Sequence, residues 1–291
     1  MDLATTRVLG ELNAAHGTGY RLVRRLAGGL QSGAYEVAGP DGHAVLKWTD
    51  EPGWGNRVQR AAGLVREARA AGYPTPRWIA CGTTSSGLPY HLQEYVDGRP
   101  LSSAAGLTMA TAENLAQGIG KAAGLVTDEQ YNWSSYVHGV VFDGLGGIWD
   151  TAAALDDRST EILARFEAAC APYQDEDLPV NDLVHGDLNV SNIVETADGV
   201  TIVDVEAISG GTRAYDLIAL AASAARDGAA PGVDEFLVEA ALSAAGFGPT
   251  VVCAAAGFAD LALFADSIED AALPNIQRGA ARILTLLDHP L

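Results

Sequence analysis

Short apolar runs separated by turn residues dominate the first third of the chain. Each run has the length and composition of a β-strand, and glycine, proline or serine lies at most of the breaks between them. The runs are 20–26, 34–38, 43–48, 78–82 and 88–96. Two stretches instead repeat apolar residues at helical spacing, 1–17 before the strands and 55–71 among them.

The hydrophobic pattern changes at residues 96–100, where glycine and proline predict a hinge. Helical spacing then prevails, at 108–126, 159–171, 213–226, 233–245, 249–272 and 275–287. Residues 127–158 lack a clear period and are rich in aromatic residues, so we predict an irregular segment. It would either line a substrate site or form a small satellite core. The two patterns predict an N-terminal lobe over 1–95 and a C-terminal lobe over 96–291, sharing a cleft.

The strongest chemical signal lies in residues 183–206, where short apolar runs alternate with polar turns. Asp187 and Asn192 are five residues apart, and Asp204 follows twelve residues later. In phosphoryl transfer, a carboxylate accepts the proton of the acceptor hydroxyl, and amide and carboxylate oxygens hold Mg²⁺. The spacing therefore predicts Asp187 as the catalytic base and Asn192 and Asp204 as metal ligands. His185 could perform acid–base work or stiffen the turn through hydrogen bonds.

Residues 27–33 form a glycine-rich segment between two predicted strands. Backbone amides and a small hydroxyl in such a segment can approach phosphates closely, although the same composition also suits a plain hairpin. The candidate phosphate-binding residues are Gly28, Gly29, Ser32 and Gly33.

Lys47 is one of only two lysines in the chain and ends an apolar strand. A lysine there is costly to bury unless paired, so we predict that it contacts the nucleotide phosphates. The alternative is an edge-strand lysine that points to solvent. Glu67 in the following helix could pair with Lys47, or it could be a surface acid among arginines. The backbone of Glu94 to Val96, at the end of the last strand, could bind an adenine edge.

Composition and charge exclude several classes of protein. Apolar residues make up 48%, no segment is long and apolar enough to span a membrane, and residues 1–7 do not resemble a signal peptide. The three cysteines have neither zinc-site nor disulfide spacing, which fits a reducing cytoplasm. The formal charge of −19 argues against binding to nucleic acid or anionic membranes.

The charge is unevenly distributed. Residues 1–95 hold 8 acids and 10 bases, whereas 96–291 hold 29 acids and 8 bases. This asymmetry suggests that the first part tolerates an anion and the second attracts a cation, although acidic surfaces also simply promote solubility.

The segment 185–192, with Val203 and Asp204, resembles the signature of the aminoglycoside phosphotransferase family. The resemblance implies an α+β, bilobal, protein-kinase-like fold with an antiparallel-sheet N-terminal lobe and a mainly helical C-terminal lobe. It implies ATP and Mg²⁺ as cofactors, with Asp187 as the base, Lys47 paired to Glu67, and Glu94 to Val96 at the adenine. The glycine-rich segment departs from the full kinase pattern, so GTP is possible too.

The same resemblance implies a cationic small-molecule or peptide antibiotic as the acceptor, either an aminoglycoside or a basic cyclic peptide of the viomycin and capreomycin type. The candidate substrate-binding acids are Asp143, Asp150, Asp260, Asp266, Glu269 and Asp270. A metabolic kinase for choline, homoserine or fructosamine is the first alternative. A non-catalytic nucleotide-binding module is the second. Such a module is expected to lack one of Lys47, Asp187, Asn192 and Asp204, and all four are present. No obligate protein partner is predicted.

Overall fold

A computed structural model describes residues 3–26, 33–51, 53–101, 106–126, 132–263 and 272–288, with side chains left out at 261–263. The strands in this part are β1 Arg21–Arg25, β2 Gly33–Gly39, β3 Gly42–Trp48, β4 Trp78–Thr83, β5 Pro89–Glu94, β6 Arg99–Pro100, β7 Asp182–Val184, β8 Ile193–Thr196, β9 Gly199–Ile202 and β10 Ser209–Gly211. The helices are α1 Leu3–His16, α2 Trp54–Ala71, α3 Met109–Gly120, α4 Trp133–Phe142, α5 Ile148–Ala153, α6 Asp157–Cys170, α7 Ala214–Asp227, α8 Val233–Ala245, α9 Phe247–Leu263 and α10 Leu273–Asp288.

The N-terminal lobe is built on a five-stranded antiparallel sheet with the order β1-β2-β3-β5-β4. Side chains alternate between the two faces of a strand. On one face, Leu46 and Leu92 are opposite each other and are buried against α1. On the other face, Lys47 is opposite His91, and this face turns towards α2. The alternation thus places the predicted phosphate-binding lysine on the inner face of the sheet.

The C-terminal lobe has a helical core around α7, which packs against α8, α9 and α10. Buried apolar side chains of these helices form one continuous cluster with the strands that carry the polar motif. Two small sheets, β6-β8-β9 and β10-β7, hold that motif at the edge of the core. The three cysteines are free, and Cys170 and Cys253 lie buried, as expected for inert thiols.

Several elements differ from the sequence prediction. Residues 133–153 contain the helices α4 and α5 rather than an irregular segment, because Asn132 caps α4 and its aromatic residues pack on the core. α3 ends at Gly120, and Gly124 (φ 66°) lies in the turn that follows, so the helix does not reach residue 126. β10 was not predicted, because its two glycines give no apolar alternation.

No helix in the described residues is both long and apolar enough to cross a membrane.

Candidate active site

The predicted catalytic loop is anchored at both ends in the protein core. β7 and the first half of β8 are buried, and a short 3-10 turn, Val190–Asn192, precedes β8. The carboxamide oxygen of Asn189 accepts the backbone N–H of Ser191 at 3.0 Å, which begins this turn. Asp187 lies between the two strands, and its side chain is exposed. The loop therefore presents Asp187 on a rigid frame.

His185 is buried and stiffens this loop through both ring nitrogens. Its Nδ1 accepts the backbone N–H of Asp187 at 3.2 Å. The ring proton therefore lies on Nε2, which donates to the carbonyl oxygen of Val203 at 2.9 Å. His185 thus connects the catalytic loop to the segment before Asp204. The geometry agrees with the stiffening role and leaves no free ring nitrogen for acid–base work.

Asp216 holds the other side of the loop. It lies buried in the first turn of α7, and its carboxylate accepts the backbone N–H groups of His185 at 2.8 Å and Gly186 at 3.0 Å. Burial raises the pKa of the Asp216 carboxyl, although His185 and the two backbone donors act in the opposite direction. The position also suits the positive end of the helix dipole. Asp216 therefore fixes the catalytic loop to the helical core.

Asn192 is brought next to Asp187 by a side-chain bond. Its Nδ2 donates to the backbone carbonyl oxygen of Asp187 at 2.8 Å, so its Oδ1 is directed elsewhere. The backbone N–H of Val203 donates to the carbonyl oxygen of Asn192 at 2.8 Å, which brings the strand before Asp204 alongside. The predicted base and both predicted metal ligands therefore lie on neighbouring segments.

Asp204 has an unusual backbone conformation. Its φ of 66° and ψ of 43° lie in the left-handed region, and no other non-glycine residue in the described part has positive φ. This region costs about 1–2 kcal/mol per residue, although aspartate tolerates it better than most. The carboxylate is 40% exposed. Burial and the charge of Glu206 raise its pKa, whereas Lys47 lowers it.

The residues present fit a magnesium ion. Asn192 and Asp204 supply hard amide and carboxylate oxygens, and Mg²⁺ commonly uses only one or two protein ligands besides phosphate and water. Consistent with so few protein ligands, the described residues contain no group of three or more His, Cys, Asp or Glu side chains that could hold a metal.

Lys47 pairs with different acids from the one that the sequence suggested. Its ammonium contacts Asp204 and lies 2.8 Å from Glu206 Oε1. The predicted partner, Glu67, is exposed on α2, and the buried residues of that helix nearby are Val65 and Ala68. The pairing of Lys47 with Glu67 is therefore wrong for this structure. The side chain of Lys47 is 11% exposed, and its contact with the nucleotide phosphates stays a prediction.

The predicted nucleotide-binding residues are only partly described. Gly33 is the first residue of β2 and is opposite Trp48, next to Lys47 in the adjacent strand. The carboxylate of Glu94 accepts the backbone N–H of Arg77 at 2.8 Å and an N–H of the Arg69 side chain at 3.0 Å. The backbone N–H of Glu94 also donates to the carbonyl oxygen of Arg77 at 2.9 Å, so a backbone contact with adenine within residues 94–96 stays a prediction. Three further candidates lie outside the described residues, namely Gly28, Gly29 and Ser32.

An aromatic cluster contacts the loop next to Asp187. The ring of Trp133 packs against Gly186, and its Nε1 donates to the carbonyl oxygen of Ala207 at 3.0 Å. Trp133 stacks on Tyr215 at a centroid distance of 5.9 Å and meets Tyr136 edge-on at 5.3 Å. One helix residue thus contacts both the catalytic loop and the segment after Asp204.

Asp260 supports this cluster from α9. Its carboxylate accepts the hydroxyl groups of Tyr136 at 2.8 Å and Tyr215 at 2.7 Å. Burial raises the pKa of Asp260, the two tyrosines lower it, and the charge of Asp187 raises it further. Asp260 therefore lies near the catalytic loop, as expected, but its carboxylate holds two tyrosines.

The structure describes two of the other five predicted substrate acids. Asp143 ends α4 and lies 3.4 Å from His138 Nδ1, and Asp150 is exposed in the first turn of α5. No contact joins either of them to the catalytic loop within the described residues. The remaining three lie outside those residues, namely Asp266, Glu269 and Asp270.

We expect Asp260→Ala to destabilise the fold by about 1–3 kcal/mol for each tyrosine hydroxyl that loses its acceptor. Thermal unfolding followed by circular dichroism measures this effect. Asp150→Ala is the control, because that side chain is exposed on α5, and its unfolding temperature should match the wild type. Equal unfolding temperatures for both variants would contradict a bonding role for Asp260.

Comparisons with known proteins agree with this geometry. A model of the APH phosphotransferase enzyme family matches residues 22–254, well over half of the chain. The protein belongs to this family. It is therefore a kinase-like phosphotransferase that acts on alcohol groups. No curated protein sequence matches the chain significantly.

Solved structures of the family share the fold at low sequence identity. Aminoglycoside phosphotransferase APH(4)-Ia is 17% identical, with a TM-score of 0.69 over 97% of this chain and 98% of that one. A complex of a thermostable APH(4)-Ia mutant with ADP and hygromycin B is 16% identical, with a TM-score of 0.66 over 94% and 96%. Macrolide 2'-phosphotransferase MphH from Brachybacterium faecium is 19% identical, with a TM-score of 0.59 over 98% of both chains.

Sequence reasoning missed the supporting residues more than the central ones. Glu206 was visible as an acid that ends an apolar run, which is a signal for a buried, paired carboxylate. Asp216 was visible only as an acid suited to a helix start. The stacking of Trp133 on Tyr215 had no sequence signal, because the two residues are 82 positions apart.

Proposed function

We propose that this phosphotransferase transfers the γ-phosphoryl group of a magnesium-bound nucleotide to a hydroxyl of a small cationic antibiotic. The observation that carries the proposal is that hydrogen bonds and an ion pair bring Asp187, Asn192, Asp204 and Lys47 together at one site. Asp187 is exposed there, Asn192 bonds to it, and Lys47 contacts Asp204 from the opposite lobe. These are the parts that phosphoryl transfer requires.

In this proposal, Asn192 Oδ1 and the Asp204 carboxylate would hold Mg²⁺, which would neutralise charge on the phosphate oxygens. The ammonium of Lys47 would bind the same phosphates from the sheet. Glycine-rich residues before β2 and the backbone of Glu94 to Val96 would hold the rest of the nucleotide. The first nucleotide we propose is ATP, and GTP is the second.

Asp187 would receive the proton of the acceptor hydroxyl as the hydroxyl oxygen forms a bond to the γ-phosphorus. The bond from that phosphorus to the bridging oxygen breaks, and the nucleoside diphosphate leaves. Desolvation raises the pKa of Asp187, with a smaller contribution from Asp204, and a nearer match to the operating pH makes a better base. The backbone bond from Asp187 to His185 would keep the carboxylate oriented.

The acceptor class rests on charge and on the proteins that share the fold. The C-terminal lobe carries most of the 37 acids of the chain, which favours a cation. APH(4)-Ia binds hygromycin B in its complexes, and MphH is a macrolide 2'-phosphotransferase. An aminoglycoside or a basic cyclic peptide is the acceptor that we propose. We also propose a cytoplasmic location, consistent with three free cysteines, and a boundary between the lobes near residue 95.

Expression in a susceptible bacterium tests this function. We expect the wild type to raise the inhibitory concentration of at least one basic antibiotic, and purified protein to consume ATP or GTP only when that compound is present. Asp187→Asn, expressed at the same level, is the control and should confer nothing.

Unchanged sensitivity to every compound would contradict the antibiotic assignment. ATP consumption with choline, homoserine or a fructosamine as acceptor would then identify a metabolic kinase. Nucleotide binding without turnover on any acceptor would identify a binding module.

A further inference from the structure

The partner of Lys47 determines where its ammonium lies. A buried ammonium without a partner is costly, so the acid that pairs with it also sets its direction. The side chain of Lys47 is 11% exposed, and its neighbours within salt-bridge distance are Asp204 and Glu206. The lysine is therefore paired with two acids.

Glu206 is the more permanent of the two partners. It lies in the short turn Val205–Ala207 directly after Asp204, and its side chain is 9% exposed, against 40% for Asp204. Its Oε1 lies 2.8 Å from the Lys47 ammonium. A buried carboxylate needs such a partner. Asp204, in contrast, is the exposed acid that a metal can reach.

Tightly packed aromatic groups also enclose Glu206, next to Lys47 on the same face of the sheet. His91 is fully buried, and its Nε2 lies 3.3 Å from Glu206 Oε1. Its ring stacks on Trp78 at 4.2 Å and tilts against Trp54 at 5.6 Å. Burial lowers the pKa of His91 to about 3, and the charge of Lys47 contributes, so the ring is neutral. The cation that faces Glu206 is therefore Lys47.

The helix α2 provides no competing acid. Its single acid, Glu67, is exposed, whereas its buried side chains are apolar, namely Trp54, Val58, Ala61, Val65 and Ala68. The helix packs against the turn that contains Glu206. It thus supports that turn, and within the described residues its acid forms no ion pair with the lysine.

We propose that Glu206 is the positioning residue for Lys47, so that the segment after the metal ligand, and not α2, directs this lysine to the nucleotide phosphates. The proposal rests on the proposed function. Because Glu206 keeps Lys47 paired, Asp204 can turn to a metal without leaving a buried ammonium alone. Asp204 would then place the Mg²⁺ and Glu206 would place the Lys47 ammonium, so residues two positions apart would direct both positive charges to the phosphates.

Nucleotide binding without an acceptor tests this role. Glu206→Gln keeps the shape but removes the charge, and we expect a loss of ATP affinity of roughly 10- to 100-fold, because the buried ion pair with Lys47 is lost. Glu67→Gln is the matched control and should bind like the wild type. Glu206→Asp keeps the charge with a shorter reach and should restore part of the affinity. Circular dichroism and thermal unfolding of each variant record its folded state.

A double-mutant cycle separates positioning from other roles. In a Lys47→Ala background, Glu206→Gln should have little further effect on affinity, since the residue that it positions is gone. The affinity loss should also persist for ATP without Mg²⁺. Additive losses, or a loss confined to Mg²⁺-ATP, would overturn the proposal in favour of direct metal binding. A wild type that binds no nucleotide would overturn the proposed function and this inference together, whereas a loss in Glu67→Gln alone would overturn only the inference.

Discussion

Replacing Asp187 with asparagine is expected to lower kcat by about 10²- to 10⁴-fold, the usual contribution of a positioned general base. Asparagine has nearly the same shape but cannot accept the acceptor proton as a carboxylate does. The backbone bonds of Asp187 to His185 and Asn192 use its N–H and carbonyl groups, so they survive the change. Nucleotide affinity and unfolding temperature should therefore stay close to those of the wild type. Steady-state kinetics with a saturating acceptor and separate nucleotide titrations measure the two quantities.

Asp198→Asn is the matched control for this substitution. It makes the same chemical change at an exposed residue in the turn between β8 and β9, on the same hairpin that follows the catalytic loop. Its kcat should equal that of the wild type. If Asp187→Asn retained wild-type turnover, another group would be the base, and the assignment of Asp187 would be wrong. If both variants lost turnover equally, the effect would come from the overall charge of the region.

The central residues of the site could be predicted because their spacing is local. Asp187 and Asn192 lie between β7 and β8, and Asp204 lies just after β9, so one run of three short strands carries all three residues. The apolar runs around them indicate where each turn falls. The sheet of the N-terminal lobe was predictable for the same reason, since alternation and turn residues define each strand separately. Lys47 stood out because a lysine in an apolar strand needs a partner.

The partners of these residues could not be predicted, because they depend on how distant segments pack. Glu67 and Glu206 are both acids, and only the packing shows that Glu206 is buried and Glu67 exposed. The irregular reading of residues 133–153 was wrong for a related reason. Glycines and aromatic residues blur a helical period, and the contacts that stabilise α4 come from α9 and β10. Local patterns therefore indicated the candidate site residues better than the residues that hold them in place.

Gly186, directly before Asp187, is expected to tolerate no side chain. Its φ of 83° lies where L-residues pay roughly 1–2 kcal/mol, and an added Cβ would lie 2.0 Å from ring atoms of Trp133. The ring cannot retreat easily, because it stacks on Tyr215 and donates to Ala207. Overpacking of this kind typically costs a further 1–3 kcal/mol or so. We therefore expect Gly186→Ala to lower the free energy of unfolding by roughly 2–5 kcal/mol in total.

Gly228→Ala separates the two causes. Gly228 has a similar φ of 73°, but an added Cβ there would meet no atom within 4 Å, so only the backbone cost applies. Denaturant unfolding should therefore show a larger loss for Gly186→Ala than for Gly228→Ala. In a Trp133→Ala background the loss from Gly186→Ala should shrink to that of Gly228→Ala, because the opposing ring is gone. Equal losses for the two glycine variants in the wild-type background would show that the tryptophan does not restrict the loop. A larger loss of unfolding free energy in Gly186→Ala than in Gly228→Ala would mean that Trp133 restricts the loop that carries Asp187. Turnover should then also fall in Gly186→Ala and stay unchanged in Gly228→Ala.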